Sequence, residues 1–377
     1  MKNAYFLTLM FPLCVFSCGV NGSDDSKSTL ESTVYKIDLN ADKVDFLSQI
    51  AAISIFGFEE TEHSLLNPSS FFFNYENGVI VVDEVSGTVY LFDLEGRYLR
   101  KFNRMGRGPE EYQSMQNTVY RDGLIETYDV RGKKVKQYDL EGNFLSELKL
   151  PDETNHALFN DERYLLSVGN ELKIDSTSHK IIFLDLEGKE YAQALPYNIP
   201  PPFPMRTNIN DFTMAGEQLL YAALLTDSVV MIDGTDVKPF IRFDFGEDWF
   251  WTDEMYADGE AMAALYNVSK VWIYTWVLGP GRIEMTYSIS FSEVRKGYVD
   301  RSTGQFYHYK FNAWGDEIPD IKSVRYEEDE LLTIITPDVL DVFKSELGEG
   351  KYKVRGGVSL ESIMASENPV MVRIKFK

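Results

Sequence analysis

The chain is predicted to be all-β, a six-bladed β-propeller with two short helical insertions; seven blades is the second choice of count. Three observations predict this. A strand–turn–strand unit recurs at a fixed spacing, the flanking strands alternate at period two, and helical periodicity is confined to two stretches.

The repeat is visible without gaps in VYLFDLEGRYLRKF (89–102), VKQYDLEGNFLSEL (135–148) and IIFLDLEGKEYAQA (181–194). The turn aspartates Asp93, Asp139 and Asp185 are 46 residues apart each time, and D-L-E-G recurs identically. The Asp side chain can cap the turn through nearby backbone N–H groups, and the Gly takes the positive φ that the turn needs. Weaker copies surround Asp233 and Asp300, and further short strands such as GVIVVD (78–83) and RYLLSV (163–168) lie upstream of the turns. Four strands in about 46 residues is the pattern of a propeller blade.

Blades one to five are expected near 66–103, 112–150, 155–195, 205–245 and 270–312. The sixth is expected to combine SVRYEEDELLTIIT (323–336), VMVRIKFK (370–377) and the early strand TVYKIDL (33–39), so that both chain ends close the ring and remove its last edge. One helical insertion is expected from about Thr252, with Thr252 or Asp253 as N-cap. The other runs over 337–350: Pro337 opens it, Val339, Leu340, Phe343 and Leu347 share a face, and Gly348 stops it.

The N-terminus precedes this rhythm. Lys2 is followed by the apolar run AYFLTLMFPLCVFS (4–17), too short for the ~20 residues of a membrane-spanning helix and interrupted by Pro12. It reads as a signal peptide over 1–17. Val15-Phe16-Ser17-Cys18 resembles the bacterial lipoprotein processing site, which implies that Cys18 becomes the first residue and carries the lipid. Residues 18–32 read as a flexible polar tether and 33–377 as a single domain. Asp24-Asp25 resembles the acidic signal that sends Bacteroides-type lipoproteins to the cell surface. Cys14 and Cys18 are the chain's only cysteines, so the folded body has no disulfide and no cysteine nucleophile.

A formal charge of −22 and a pI near 4.6 exclude nucleic acid as a partner, because phosphates demand a basic face. The same charge leaves the lipid anchor as the expected route to a membrane. A G-x-S-x-G nucleophile elbow is absent from the sequence.

Taken together, the Y-x-x-D-L-E-G turns, YKIDL, ISIFGFEETEHSLL and GRGPEEY (106–112) resemble the six-bladed propeller lipoproteins of Bacteroides and their relatives, distant cousins of NHL-repeat propellers. The resemblance covers nearly all of 34–377 and implies an envelope address, an outer-membrane lipid anchor and surface exposure. It implies little chemistry.

FNRMGRGPEEYQ (102–113) is not a phosphate loop: no Lys-Ser pair and no helix follow Gly108-Pro109. It reads as the crossing between blades one and two, which would set Arg104, Arg107, Glu110 and Glu111 around the mouth of the channel. Asn155, His156, Asn208, Asn210 and Asp211 fall in other crossings at that mouth and offer oxygen and nitrogen ligands. Trp249, Trp251 and Trp276 could form an aromatic platform for a sugar ring. His63 and His156 share a phase in different blades, 30 and 29 residues before Asp93 and Asp185; His179 and His308 do not share it, and no metal site is assigned. No cofactor is expected, though a divalent cation is compatible with the Asx-rich loops. The favoured reading is a binding or interaction module for a small ligand, a glycan, a peptide or an envelope protein. The alternative is a metal-dependent propeller enzyme of lactonase or lyase type.

Overall fold

The computed structural model describes residues 32–160, 163–169, 178–197, 211–223, 225–258, 260–291, 293–315 and 317–377. The expected signal peptide and nearly all of the tether, with Cys18, and the candidates Asn208 and Asn210 lie outside the described residues.

Among the described residues there are six sheets, each with four antiparallel strands at its heart. Blade one comprises 71–75, 78–83, 88–93 and 98–103; blade two 116–121, 124–129, 134–139 and 144–149; blade three 154–160, 163–168, 179–184 and 190–196. Blade four comprises 212–215, 218–221, 228–233 and 236–244, and blade five 271–278, 282–289, 293–300 and 306–310. Blade six is assembled from 321–327, 330–335, 370–376 and 50–56.

Packing explains why the strands read as they do. Along 78–83, Val79 and Val81 pack toward blade six, while Ile80 and Val82 pack toward blade two. All four are at most 5% exposed, because a blade is covered on both faces. Analogous cores join blades two to three, three to four, four to five and five to six, so the ring is closed.

The D-L-E-G turns have the expected chemistry. Asp93 Oδ1 accepts from the N–H groups of Glu95 and Arg97 at 3.0 and 2.8 Å, and Asp185 repeats the pattern with Glu187 and Lys189 at 3.1 and 2.8 Å. The glycine has a second duty that the sequence does not announce. Gly142 has φ +81°, and a Cβ there would lie 2.5 Å from the Phe102 ring on the outer strand of blade one. The turn of one blade therefore seats directly on its predecessor.

Ring closure differs from expectation. Strand Thr33–Lys36 does not complete blade six; it adds in parallel to the outer strand of blade four, Thr33 opposite Ile241. The closing strand is Ile50–Phe56, antiparallel to Val370–Phe376 with Met371 opposite Phe56. Both segments alternate, but Ile50, Ile53 and Ile55 are at most 3% exposed and offer the larger apolar face. Between them, Lys43–Asp45 joins blade five in parallel. The N-terminal segment thus runs outside blades four and five before it closes blade six, and Tyr352–Arg355 adds outside the closing strand.

Both expected helices are present. Asp253–Ala257 is capped by Thr252, whose hydroxyl accepts from Met255 N–H at 3.3 Å, and Ala261–Leu265 follows. Pro337–Leu347 buries Val339, Leu340, Phe343 and Leu347 and ends at Gly348. A further short helix, Leu360–Met364, was not expected.

Candidate functional site at the channel mouth

Inner strands enter a propeller at one end of the central channel, so their first residues gather there. Phe71, Thr118, His156, Thr213 and Lys322 all lie within the first three positions of their inner strands. A cavity of about 620 Å³ occupies this end, walled on its apolar side by Phe71, Trp276, Phe311 and Val324. Its charged lining comes from Glu84, Glu284, Lys296, Asp320 and Lys322.

Glu84 follows the second strand of blade one, and its Oε1 accepts from Thr118 N–H of blade two at 2.9 Å. Burial pushes its carboxyl up to about 7, against the pull of Thr118 and the positive charge of Lys322. Lys322 opens the inner strand of blade six. Its Nζ donates to the carbonyls of Ser69 and Ser70 at 3.1 and 3.2 Å and lies 4.5 Å from the Phe71 ring centre. Burial lowers its pKa.

The second pair comes from blade five. Glu284 is 5% exposed and accepts from Tyr309 OH at 2.8 Å and Tyr326 OH at 3.1 Å. Burial raises its carboxyl to about 7, opposed first by the Arg282 charge. Lys296 donates to Ile321 O at 2.7 Å, and burial brings its ammonium down to about 8. Carboxyls near 7 and lysines with lowered pKa beside an aromatic wall can hold hydroxyl- and amide-rich ligands, and they can exchange protons near neutrality.

Some sequence candidates meet here and others do not. His156 and Asp211 come together across blades three and four, Nδ1 to Oδ2 at 3.0 Å, both at most 4% exposed. Ser167 Oγ also donates to Asp211 Oδ2, and Asn155 Nδ2 is 3.3 Å from His156 Nδ1. Trp276 lines the cavity, and Trp249 joins it around a smaller hollow of about 70 Å³ beside Asp211. Trp251 is 6% exposed and donates Nε1–H to Trp272 O at 2.8 Å, which places it in the core rather than on a platform.

The GRGPEEY crossing folds on itself and on blade two. Glu111 Oε2 accepts from Gly108 N–H at 2.8 Å, Tyr112 OH donates to Gly87 O at 2.7 Å, and Arg104 Nε donates to Gly142 O at 2.6 Å. Lys136 and Tyr138 of blade two's third strand hold Pro109 O and Glu110 O at 2.7 and 2.9 Å. Arg104, Arg107, Glu110 and Glu111 do not line the cavity. His63 is a surface side chain 3.3 Å from Glu62, and His308 is held by Leu39 O at 3.1 Å within blade five. Among the described residues no three His, Cys, Asp or Glu side chains gather as a metal site.

Sequence reasoning missed Glu84, Lys322, Glu284 and Lys296. One signal was available: in RIEMTYSI (282–289) a glutamate stands mid-strand, where an apolar or small residue would be ordinary.

The fold and its lined channel define the class: a six-bladed β-propeller with a cavity at one mouth. The chain belongs to the family described as a domain of unknown function, DUF4934, which matches residues 32–375. A crystal structure of a Bacteroides fragilis protein named as exported is similar, with a TM-score of 0.71 at 16% identity, covering 92% of this chain and 100% of that one. A DUF4221 member from Bacteroides vulgatus matches at TM-score 0.49 and 12% identity, over 87% and 98% of the two chains. Virginiamycin B lyase from Staphylococcus aureus matches at 0.40 and 12%, over 74% and 80%. No curated protein matches. No helix among the described residues is long and apolar enough to cross a membrane.

Proposed function

We propose that this protein is a lipid-anchored propeller of the cell envelope that holds a glycan or peptide in its channel-mouth cavity, as a binding module rather than a catalyst. One observation carries the reading: the 620 Å³ cavity combines the side chains of Trp276 and Phe71 with ionisable groups of both signs converging from blades one, five and six. A ring or side chain stacks on the aromatic wall while hydroxyls or amides replace water at Glu84 and Lys322. The apolar segment ending at Cys18 and the exported neighbour support the envelope address.

The test is the melting temperature of the purified protein with defined oligosaccharides and short peptides, and separately with calcium, zinc and a chelator. A ligand bound only by the native state at a hundredfold excess over Kd stabilises it by about 2.7 kcal/mol, about 4 °C for a domain of this size. A rise with one organic class and none with either cation is the expected result. A rise with a cation, reversed by the chelator, would replace this reading with the metal-dependent enzyme.

A further inference from the structure

A second cleft of about 290 Å³ lies between blades six and one, where Asn74 and Tyr75 end the inner strand of blade one. The register of blade six builds one wall. Met371 and Arg355 both stand opposite Phe56, and Arg373 stands opposite Ser54. Residues opposite one another share a face of a sheet, and alternate residues along a strand return to it. Phe56, Arg355 and Arg373 therefore face the same way, toward Tyr75 and Leu94 of blade one.

The two arginines share few acidic partners. Arg373 reaches Glu327 Oε2 at 2.6 Å, but the same carboxylate also takes Arg325 at 2.6 Å and Asn74 Nδ2 at 3.2 Å. One carboxylate thus serves two guanidinium groups. Arg355 has no acidic partner among the described residues, and the Nε atoms of both Arg355 and Arg373 are buried without a hydrogen-bond partner there. A buried donor left unpaired is costly, and a guanidinium retained beside a cleft in that condition is suited to an oxyanion from outside. Phe56, Tyr75 and Leu94, the last 61% exposed, supply an apolar wall beside the two arginine side chains.

We propose that this cleft binds a carboxylate carried on an apolar body, with Arg355 and Arg373 holding the carboxylate and Phe56, Tyr75 and Leu94 covering the body. Planar carboxylates match the guanidinium fork, whereas a bare tetrahedral anion would leave the apolar wall unused. The proposal is independent of the channel-mouth reading.

Calorimetric titration of the purified protein with benzoate, benzyl alcohol and inorganic phosphate, at one ionic strength, tests it. Benzoate should bind at least roughly tenfold more tightly than either comparator. Arg355→Gln should weaken benzoate by a similar factor, and Leu94→Ala, a change at an exposed position, should weaken it without lowering the melting temperature. Benzoate binding no tighter than benzyl alcohol, phosphate binding as tightly, or an affinity unchanged in both variants would each overturn the proposal, as would no binding of benzoate.

Discussion

Glu284 shows what burial in this ring does to a single side chain. Its carboxyl is raised to about 7, above the ordinary value near ~4.3, so the folded state holds the proton more tightly than the unfolded chain. Its stabilising contribution is complete below about pH 4 and is lost as pH rises through 7. Lys296 has the opposite sign: lowered to about 8, it makes the folded state lose stability as pH falls from about 10.4 to 8, with little change below. Urea midpoints at pH 5, 6 and 7 should therefore fall with pH in the native protein, and Glu284→Gln should flatten that fall by about 1–2 kcal/mol. Equal slopes in the two proteins would contradict the burial argument. Distance along the chain decides which of these residues the sequence revealed. Asp93 bonds to N–H groups within four residues of itself, so its role is written locally. Glu84 and Thr118 are 34 residues apart, and Lys322 and Ser69 are 253 apart; no local pattern joins either pair.

Among the elements, the blades with D-L-E-G turns were readable because turn chemistry and strand alternation repeat together. The closing strand was not, since alternation names a face but not a sheet. Ile55 is fully buried between blades five and six, whereas Val34 on the early strand is 54% exposed. Ile55→Ala should cost about 2–5 kcal/mol, while Val34→Ala should stay within about 0.5 kcal/mol. Chemical denaturation of the two variants checks this, and a larger loss at Val34 would restore 33–39 as the closure. The GRGPEEY crossing has the same lesson in reverse. Its glycines and proline were legible as a bend, while its charges read either as a ligand-holding rim or as an Arg–Glu network that fixes the loop. In the fold Glu111 and Arg104 are drawn into bonds with Gly108 N–H and Gly142 O.

For the whole molecule, an acidic ring with one aromatic, ionisable mouth suits a module held at a surface and open to solvent. Anchoring through Cys18 predicts that the native protein partitions into the detergent phase and incorporates radiolabelled palmitate, and that Cys18→Ala does neither. Identical partition of the two would mean that Cys18 carries no lipid. Binding at the mouth is read from the ligand-induced melting shift in the native protein compared with Lys322→Gln, Trp276→Phe and Arg104→Ala. The oligosaccharide or peptide class that stabilises the native protein should lose its effect in the Lys322 and Trp276 variants and keep it in the Arg104 variant. A shift that survives both cavity changes, or that disappears only with Arg104, would place the binding surface elsewhere on the ring.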